Sequence, residues 1–221
     1  MKGIKELEET IAAFDEGSGE YDLWYKSSKG KAIFRSELLA VKDILPKGRG
    51  VEIGVGTGVF ASELNVKFGL DPSVACLKLA QKRGIKAVRG VGEALPFKDG
   101  SFDFLFYVVT LCFLADPKVA LREAHRVLKP RGKIVVCFIP RDSPWEKFYI
   151  EKKAAGHRFY KHTNFYTLKE VSWMLRKAGF IPEALVCTLM QKPKAIMKVE
   201  RAPRRKSKLA GFCCIRARKV G

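Results

Sequence analysis

The stretch Gly50 to Phe60, G-V-E-I-G-V-G-T-G-V-F, constrains this chain more than any other. Gly50 to Ile53 read as a short buried strand, and Gly54-Val55-Gly56-Thr57-Gly58 as a loop that turns directly into a helix. Glycine takes positive φ readily and lets backbone N–H groups approach a ligand with no Cβ in the way. Such a loop is weak evidence alone, because many strand–loop–helix units carry one. Two details narrow it. The spacing is G-x-G-x-G rather than the G-x-G-x-x-G of dinucleotide-binding folds. Glu52 also stands two residues before Gly54, at the carboxyl end of the strand, where it would repel a pyrophosphate and suit a cationic ligand. A tight turn beside a solvated Glu52 is the competing reading.

The rest of the chain alternates in a way that suits this start. Ile4, Leu7, Ile11 and Phe14 share a helical face over residues 2–15, and Gly17-Ser18-Gly19 is expected to break that helix. Tyr21-Asp22-Leu23-Trp24-Tyr25 follows, either as a lid that stacks on a ligand or as an anchor to the core. A second helix runs to Leu45, stopped by Pro46. Beyond the glycine loop, Val66 to Leu70 reads as strand two. Asp71-Pro72-Ser73 then opens a helix, with Asp71 a candidate N-cap and Pro72 at its first position. Asp71 also lies 17 residues past Gly54, close to where an acid accepts ribose hydroxyls. Lys86 to Arg89, Phe102 to Val109 and Lys133 to Ile139 read as strands three to five, and Asp116-Pro117 caps the helix between the last two. Thr167 and Glu170 have capping-box spacing, and Ile181 to Met190 and Leu209 to Arg218 are the last strands. Strands alternating with helices predict a doubly wound, mostly parallel sheet in one domain spanning 1–221.

Two segments interrupt the rhythm. Residues 140–166 crowd aromatics among Lys and Arg, and 191–208 are strongly basic around Arg201, Arg204, Arg205 and Lys206. The net charge is +19, which suggests a polyanion such as RNA or an acidic surface. A thermophile's charged surface is the blander account, and amide scarcity (Asn65, Asn164, Gln81 and Gln191) favours it. Six scattered cysteines read as reduced, buried side chains of a cytoplasmic protein, and no metal site is expected. The longest apolar run, Phe104 to Ala115, is too short to cross a bilayer.

The succession of motifs resembles the class I methyltransferases that use S-adenosylmethionine, in particular their type-11, quinone-biosynthesis-like group. Glu52-Ile53-Gly54-Val55-Gly56-Thr57-Gly58, Leu70-Asp71-Pro72-Ser73, Leu95-Pro96-Phe97, Ser101-Phe102-Asp103, Asp116-Pro117, Ala120-Leu121-Arg122-Glu123 and Arg126-Val127-Leu128-Lys129-Pro130-Arg131-Gly132 carry it. The resemblance implies a Rossmann-like seven-stranded sheet of order 3-2-1-4-5-7-6 with an antiparallel last strand. It implies S-adenosylmethionine across the carboxyl ends of strands one to four, whose ammonium and sulfonium suit Glu52, with S-adenosylhomocysteine as product. Gly54, Val55 and Gly56, with Gly58 closing the loop, would face the methionine moiety. Asp71 and Pro72 would border the ribose, Val91-Gly92-Glu93 the adenine, and Val108 and Val109 the floor near the methyl. Val91 stands where relatives commonly have Asp, so adenine recognition falls to the Gly92 backbone or Glu93. Tyr21 and Trp24 would close over the methionine end as part of a helical lid, 1–45, while 140–166 would form an acceptor-side insertion.

Methyl transfer from a sulfonium asks mainly for alignment and dryness, with a base only for a protonated acceptor. His157, His162, Tyr160 and Tyr25 are the candidates. Tyr107-Val108-Val109-Thr110 lacks the N/D-P-P-Y/F sequence of amino-directed adenine and glutamine enzymes, and no Pro-Cys pair follows. Three readings stay open: a small-molecule methyltransferase, one acting on RNA or an acidic macromolecule, and an NAD-dependent or non-catalytic nucleotide-binding protein.

Overall fold

The computed structural model describes residues 3–195, 198–201 and 207–220. Two helices lead, α1 (Ile4–Trp24) and α2 (Ser28–Ile44). The core follows as β1 (Gly50–Ile53), α3 (Val59–Glu63), β2 (Phe68–Asp71), α4 (Val74–Lys82), β3 (Lys86–Arg89) and β4 (Phe102–Val108). It continues through α5 (Pro117–Val127), β5 (Leu128–Phe138), α6 (Pro144–Ala154), α7 (Leu168–Lys177), β6 (Phe180–Thr188) and β7 (Phe212–Lys219). The seven strands lie in the order β3-β2-β1-β4-β5-β7-β6. Pairings among β1 to β5 are parallel, and β7 runs antiparallel to both its neighbours. The expected topology is the observed one.

Apolar runs made this sheet recognisable because both of its faces are covered. Val51, Ile53, Leu105 and Tyr107 face α5 and α7, while Phe104, Phe106, Val135 and Cys137 face α2, α3, α4 and α6. The caps follow their sequence signals. Asp116 accepts from the N–H groups of Lys118 and Val119, with Pro117 in the first turn of α5. Thr167 and Glu170 close both halves of a capping box on α7.

Four expectations need correction. Helix α1 continues through Gly17-Ser18-Gly19 to Trp24. A glycine costs a helix about 1 kcal/mol, and packing overrides that here: any Cβ at Gly17 would collide with the Phe159 ring. The cap of α4 is Ser73, whose Oγ accepts from Cys76 N at 3.1 Å, so neither Asp71 nor Pro72 has the role first assigned to it. Strand β5 begins at Leu128, opposite Phe102, and the Pro130-Arg131-Gly132 turn is a register shift within it. The cysteines are not all reduced. Sheet register sets Cys137 opposite Cys214 and Cys187 opposite Cys213, and each pair is a disulfide. Their sequence separations of 77 and 26 residues hid a proximity that only strand pairing creates. Cys76 and Cys112 are buried outside the disulfides. No described helix is long and apolar enough to cross a membrane.

Thiol titration of the denatured, unreduced chain should therefore find two reactive cysteines, and six after reduction. Six without reductant would overturn the pairing.

Candidate functional site

The glycine loop has the conformation its spacing requires. Gly54, Gly56 and Gly58 take φ of 71°, 51° and 81°. A Cβ on Gly54 would run into the Thr110 side chain, whereas Gly56 faces open space, with Tyr21 the nearest neighbour at 4.0 Å. The loop hangs from β2: Gly54 N and Val55 N donate to Leu70 O at 2.7 and 2.9 Å. Gly56 N donates to one oxygen of Asp71 at 2.8 Å, and Ser73 N donates to the other at 2.9 Å. Asp71 thus braces the loop against the start of α4. Burial pushes its carboxyl up to about 6 despite these two N–H groups, and each oxygen keeps a lone pair for a further donor.

Glu52 is 2% exposed at the end of β1. The Ala61 N–H assists it, but its Oε2 has no partner among the described residues. Burial, with Asp71 close by, holds its carboxyl well above the usual range. A buried carboxylate with one oxygen unmatched is costly unless a donor or cation meets it, and Glu52 borders a small gap beside the glycine loop rather than the cavity that Gly54 and Asp71 line. Val55 packs its side chain over Gly69 and borders the small gap beside the cleft rather than the cleft itself. Pro72, Val91, Gly92, Glu93, Val108 and Val109 line the same cavity as Gly54, Gly56 and Asp71. Glu93 Oε1 accepts from the N–H groups of Ala115 and Asp116 at 2.7 and 3.1 Å, which holds the loop after β4 in place.

Helix α1 lies across this cleft. Leu7, Thr10, Ile11, Phe14 and Tyr21 complete the cavity, of about 100 Å³. Charged contacts pin the helix down. Asp15 accepts from Ser73 Oγ at 2.6 Å and Ala75 N at 3.0 Å, and Asp22 pairs with Arg83 at 2.8 Å. Glu9 meets Lys161 and His162 at 2.6 and 2.8 Å, so His162 holds the cover rather than standing free as a base. Sequence periodicity showed the apolar face of α1 but not what it covered, and nothing in it pointed to Asp15.

A second cavity, of about 360 Å³, adjoins the first on the far side of Tyr21. Tyr25, Tyr149, Tyr160, Phe159 and His157 wall it, and Trp24 lies here rather than on the cleft under α1. Residues 140–166 supply Tyr149, Lys152, His157, Phe159 and Tyr160 to this wall, through α6 and the turns after it. Three of the four base candidates therefore meet here. His157 lines the chamber with Nδ1 buried and without a partner among the described residues, and burial lowers its pKa. Tyr25 is hydrogen-bonded to Tyr21 at 2.8 Å between hydroxyls, and burial raises Tyr25 and Tyr160 well above 10. A small gap between the two cavities is bordered by Tyr21, Tyr25, Glu37, Glu52, Gly56 and Val109. Val109 has φ of 53°, a conformation that costs a β-branched residue about 1–3 kcal/mol and that gathers at functional sites. Glu37, from α2, carried no sequence signal.

Comparison with known proteins fits this geometry. The family described as Methyltransferase domain, type 11, matches residues 51–136. The uncharacterized protein MJ1123 of Methanocaldococcus jannaschii is 46% identical over 187 residues, covering 85% of this chain and 90% of that one. A demethylmenaquinone methyltransferase of Streptomyces griseus is 33% identical over 158 residues, 66% of this chain and 68% of that enzyme. A crystal structure from Thermotoga maritima, described as a SAM-dependent methyltransferase and possible histamine N-methyltransferase, superposes with a TM-score of 0.89 at 39% identity. It covers 96% of this chain and 100% of that one. The chain belongs to the class I methyltransferases dependent on S-adenosylmethionine. Within them it is a member of the type-11 group, an enzyme whose methyl donor is S-adenosylmethionine. The NAD-dependent and non-catalytic readings fall. Relatives in Methanocaldococcus and Thermotoga agree with the thermophile reading of the amide scarcity.

Replacing Asp15 by Ala removes two hydrogen bonds to a carboxylate, each worth about 1.5–3 kcal/mol. Amide exchange along α1 should accelerate at least about tenfold while β1 stays protected. Unchanged exchange would mean that apolar contacts alone hold the cover.

Proposed function

We propose that this enzyme transfers the methyl group of S-adenosylmethionine to a small molecule held in the aromatic chamber. The observation that carries this reading is the junction of the two cavities at Tyr21 and Val109. A donor under α1 and an acceptor in the chamber would meet there, away from water. The donor brings a methyl group already activated by a sulfonium, so the protein's task is alignment and exclusion of solvent.

The site residues fit such a donor. Glu52 would take the ammonium with its unmatched oxygen, and the open face at Gly56 would admit the methionine chain. Asp71, already holding Gly56 and Ser73, would accept the ribose hydroxyls on its remaining lone pairs. Pro72 would border the sugar, and the Gly92 backbone the adenine edge, since Glu93 is engaged with Ala115 and Asp116. Tyr21 would close the methionine end and Val108 and Val109 would floor it, with α1 and α2 as the helical lid. The acceptors named for the two relatives described above, demethylmenaquinone and histamine, are small molecules.

A macromolecular acceptor is supported only by the net charge of +19. Arg204, Arg205 and Lys206 lie outside the described residues. The described part of 191–208 is tied to the body instead. Glu200 accepts from Met190 N and Gln191 N, its own N–H donates to Ser36, and Lys29 donates to Pro193 O.

Tritiated S-adenosylmethionine incubated with enzyme and fractionated extract should label the small-molecule fraction. Label confined to RNA or protein would overturn the reading. Replacing Asp71 by Ala should weaken donor binding by about 1–3 kcal/mol in calorimetry. Normal affinity would reduce Asp71 to a loop brace.

A further inference from the structure

Glu37 is the buried polar group for which the donor site has no use. It sits on α2, 8% exposed, with no hydrogen bond or ion pair among the described residues. Burial alone pushes its carboxyl up to about 8, and no cation pulls it back. The charged and titratable groups around it explain why. Lys152, on α6, holds its ammonium 5.1 Å over the Phe148 ring and 5.6 Å over that of Tyr160, and makes no ion pair with Glu37. Burial lowers the pKa of His157 and so disfavours its cation, and Glu52 is another acid. Tyr21, Tyr25, Tyr149 and Tyr160 all feel the charge of Glu37, which raises their hydroxyls further. A lone buried carboxylate ringed by aromatic rings lacks a cation, and the rings would welcome one through their faces.

The donor does not meet this need. Its one ammonium has Glu52, which borders the gap between the cavities but not the chamber. Glu37 borders both. An anionic acceptor, such as a phenolate, would face Glu37 and Glu52 together.

We propose that Glu37 binds the acceptor and makes this enzyme an N-methyltransferase of small amines, the ammonium pairing with its carboxylate while the apolar body lies against Tyr25, Tyr149 and Tyr160. This rests on the small-molecule reading above. In the reaction the ammonium gives one proton to the Glu37 carboxylate, leaving a neutral amine and a carboxylic acid. The nitrogen lone pair forms a bond to the methyl carbon, and the carbon–sulfur bond breaks with its electron pair on sulfur. S-adenosylhomocysteine and an N-methylammonium result, and Glu37 returns its proton to solvent. A carboxyl near 8 is matched to such an exchange.

The test uses full-length protein saturated with S-adenosylhomocysteine, titrated with 2-phenylethylamine, histamine and 4-methylphenol. At least one amine should bind the parent, and bind Glu37→Gln at least tenfold more weakly, with Glu37→Asp between them. 4-Methylphenol should not distinguish the variants. Amine affinity should fall as pH drops from about 8 towards 6, because the carboxylate is lost, and Glu37→Gln should be flat over that span. Glu37→Gln should bind S-adenosylhomocysteine within about threefold of the parent, whereas Glu52→Gln weakens it more. Folding offers an independent control. A carboxyl raised in the folded state makes stability fall as pH rises from about 4.5 to about 8, so Glu37→Gln should melt higher than the parent at pH 8.5 and closer to it at pH 5. Amine binding that is absent or indifferent to Glu37→Gln, or a preference for the phenol, would overturn the proposal while leaving the donor site intact. A Glu37→Gln loss in S-adenosylhomocysteine binding equal to that of Glu52→Gln would also overturn it, by making Glu37 a donor ligand. Failure of the parent to bind S-adenosylhomocysteine would instead refute the donor site, and the proposal with it.

Discussion

The carboxylate of Asp71 is the point through which the site is assembled. One oxygen holds the glycine loop at Gly56 and the other fixes the chain at Ser73, the residue that caps α4. Asp15 then reads that same corner, bonding Ser73 Oγ and Ala75 N, and so brings α1 over the cleft. Loop, helix start and cover are therefore registered to a single acid at the tip of β2. Because these are bonds to charged oxygens in a buried setting, each is stronger than an ordinary turn contact. The brace also explains why Asp71 need not be the helix cap: Ser73 does that work with its hydroxyl, leaving the carboxylate's other lone pairs directed at the cleft.

How far the fold could be read from sequence follows from the range of each interaction. The strands and the caps of α5 and α7 were readable because they depend on local pattern: the apolar run Phe102–Val108, the Asp116-Pro117 pair, the Thr167–Glu170 spacing; the strand order was implied only by the family resemblance. Errors came where a distant residue decides. Gly17 sits within a helix because Phe159, far along the chain, fills the space a side chain would need. Cysteine pairing depends on the antiparallel register of β7 between β5 and β6, which no spacing rule encodes. The glycine loop, Glu52 and Asp71 could be picked out, since strand, turn and acid are neighbours in the chain. Leu7, Thr10, Ile11, Phe14 and Glu37 could not, because an amphipathic helix shows which face is apolar and not what it covers.

The net charge and the site charge point in opposite directions. A chain of net charge +19 places Glu37, Glu52 and Asp71 at its centre, all three with carboxyls raised by burial. Surface charge is screened within about 8 Å at physiological ionic strength, whereas buried groups act at close range in a low dielectric. The charges nearest a ligand in the cleft are thus these acids rather than the basic exterior. Burying three carboxyls without a cation among the described residues lowers stability, and the aromatic packing among Phe14, Tyr21, Tyr25, Phe34, Phe60 and Phe159 is part of what offsets that. The same rings close the route by which water would otherwise solvate the carboxylates. Desolvation and the proposed selectivity then share one physical cause: rings that exclude water raise the carboxyls, and a cationic ligand would relieve them.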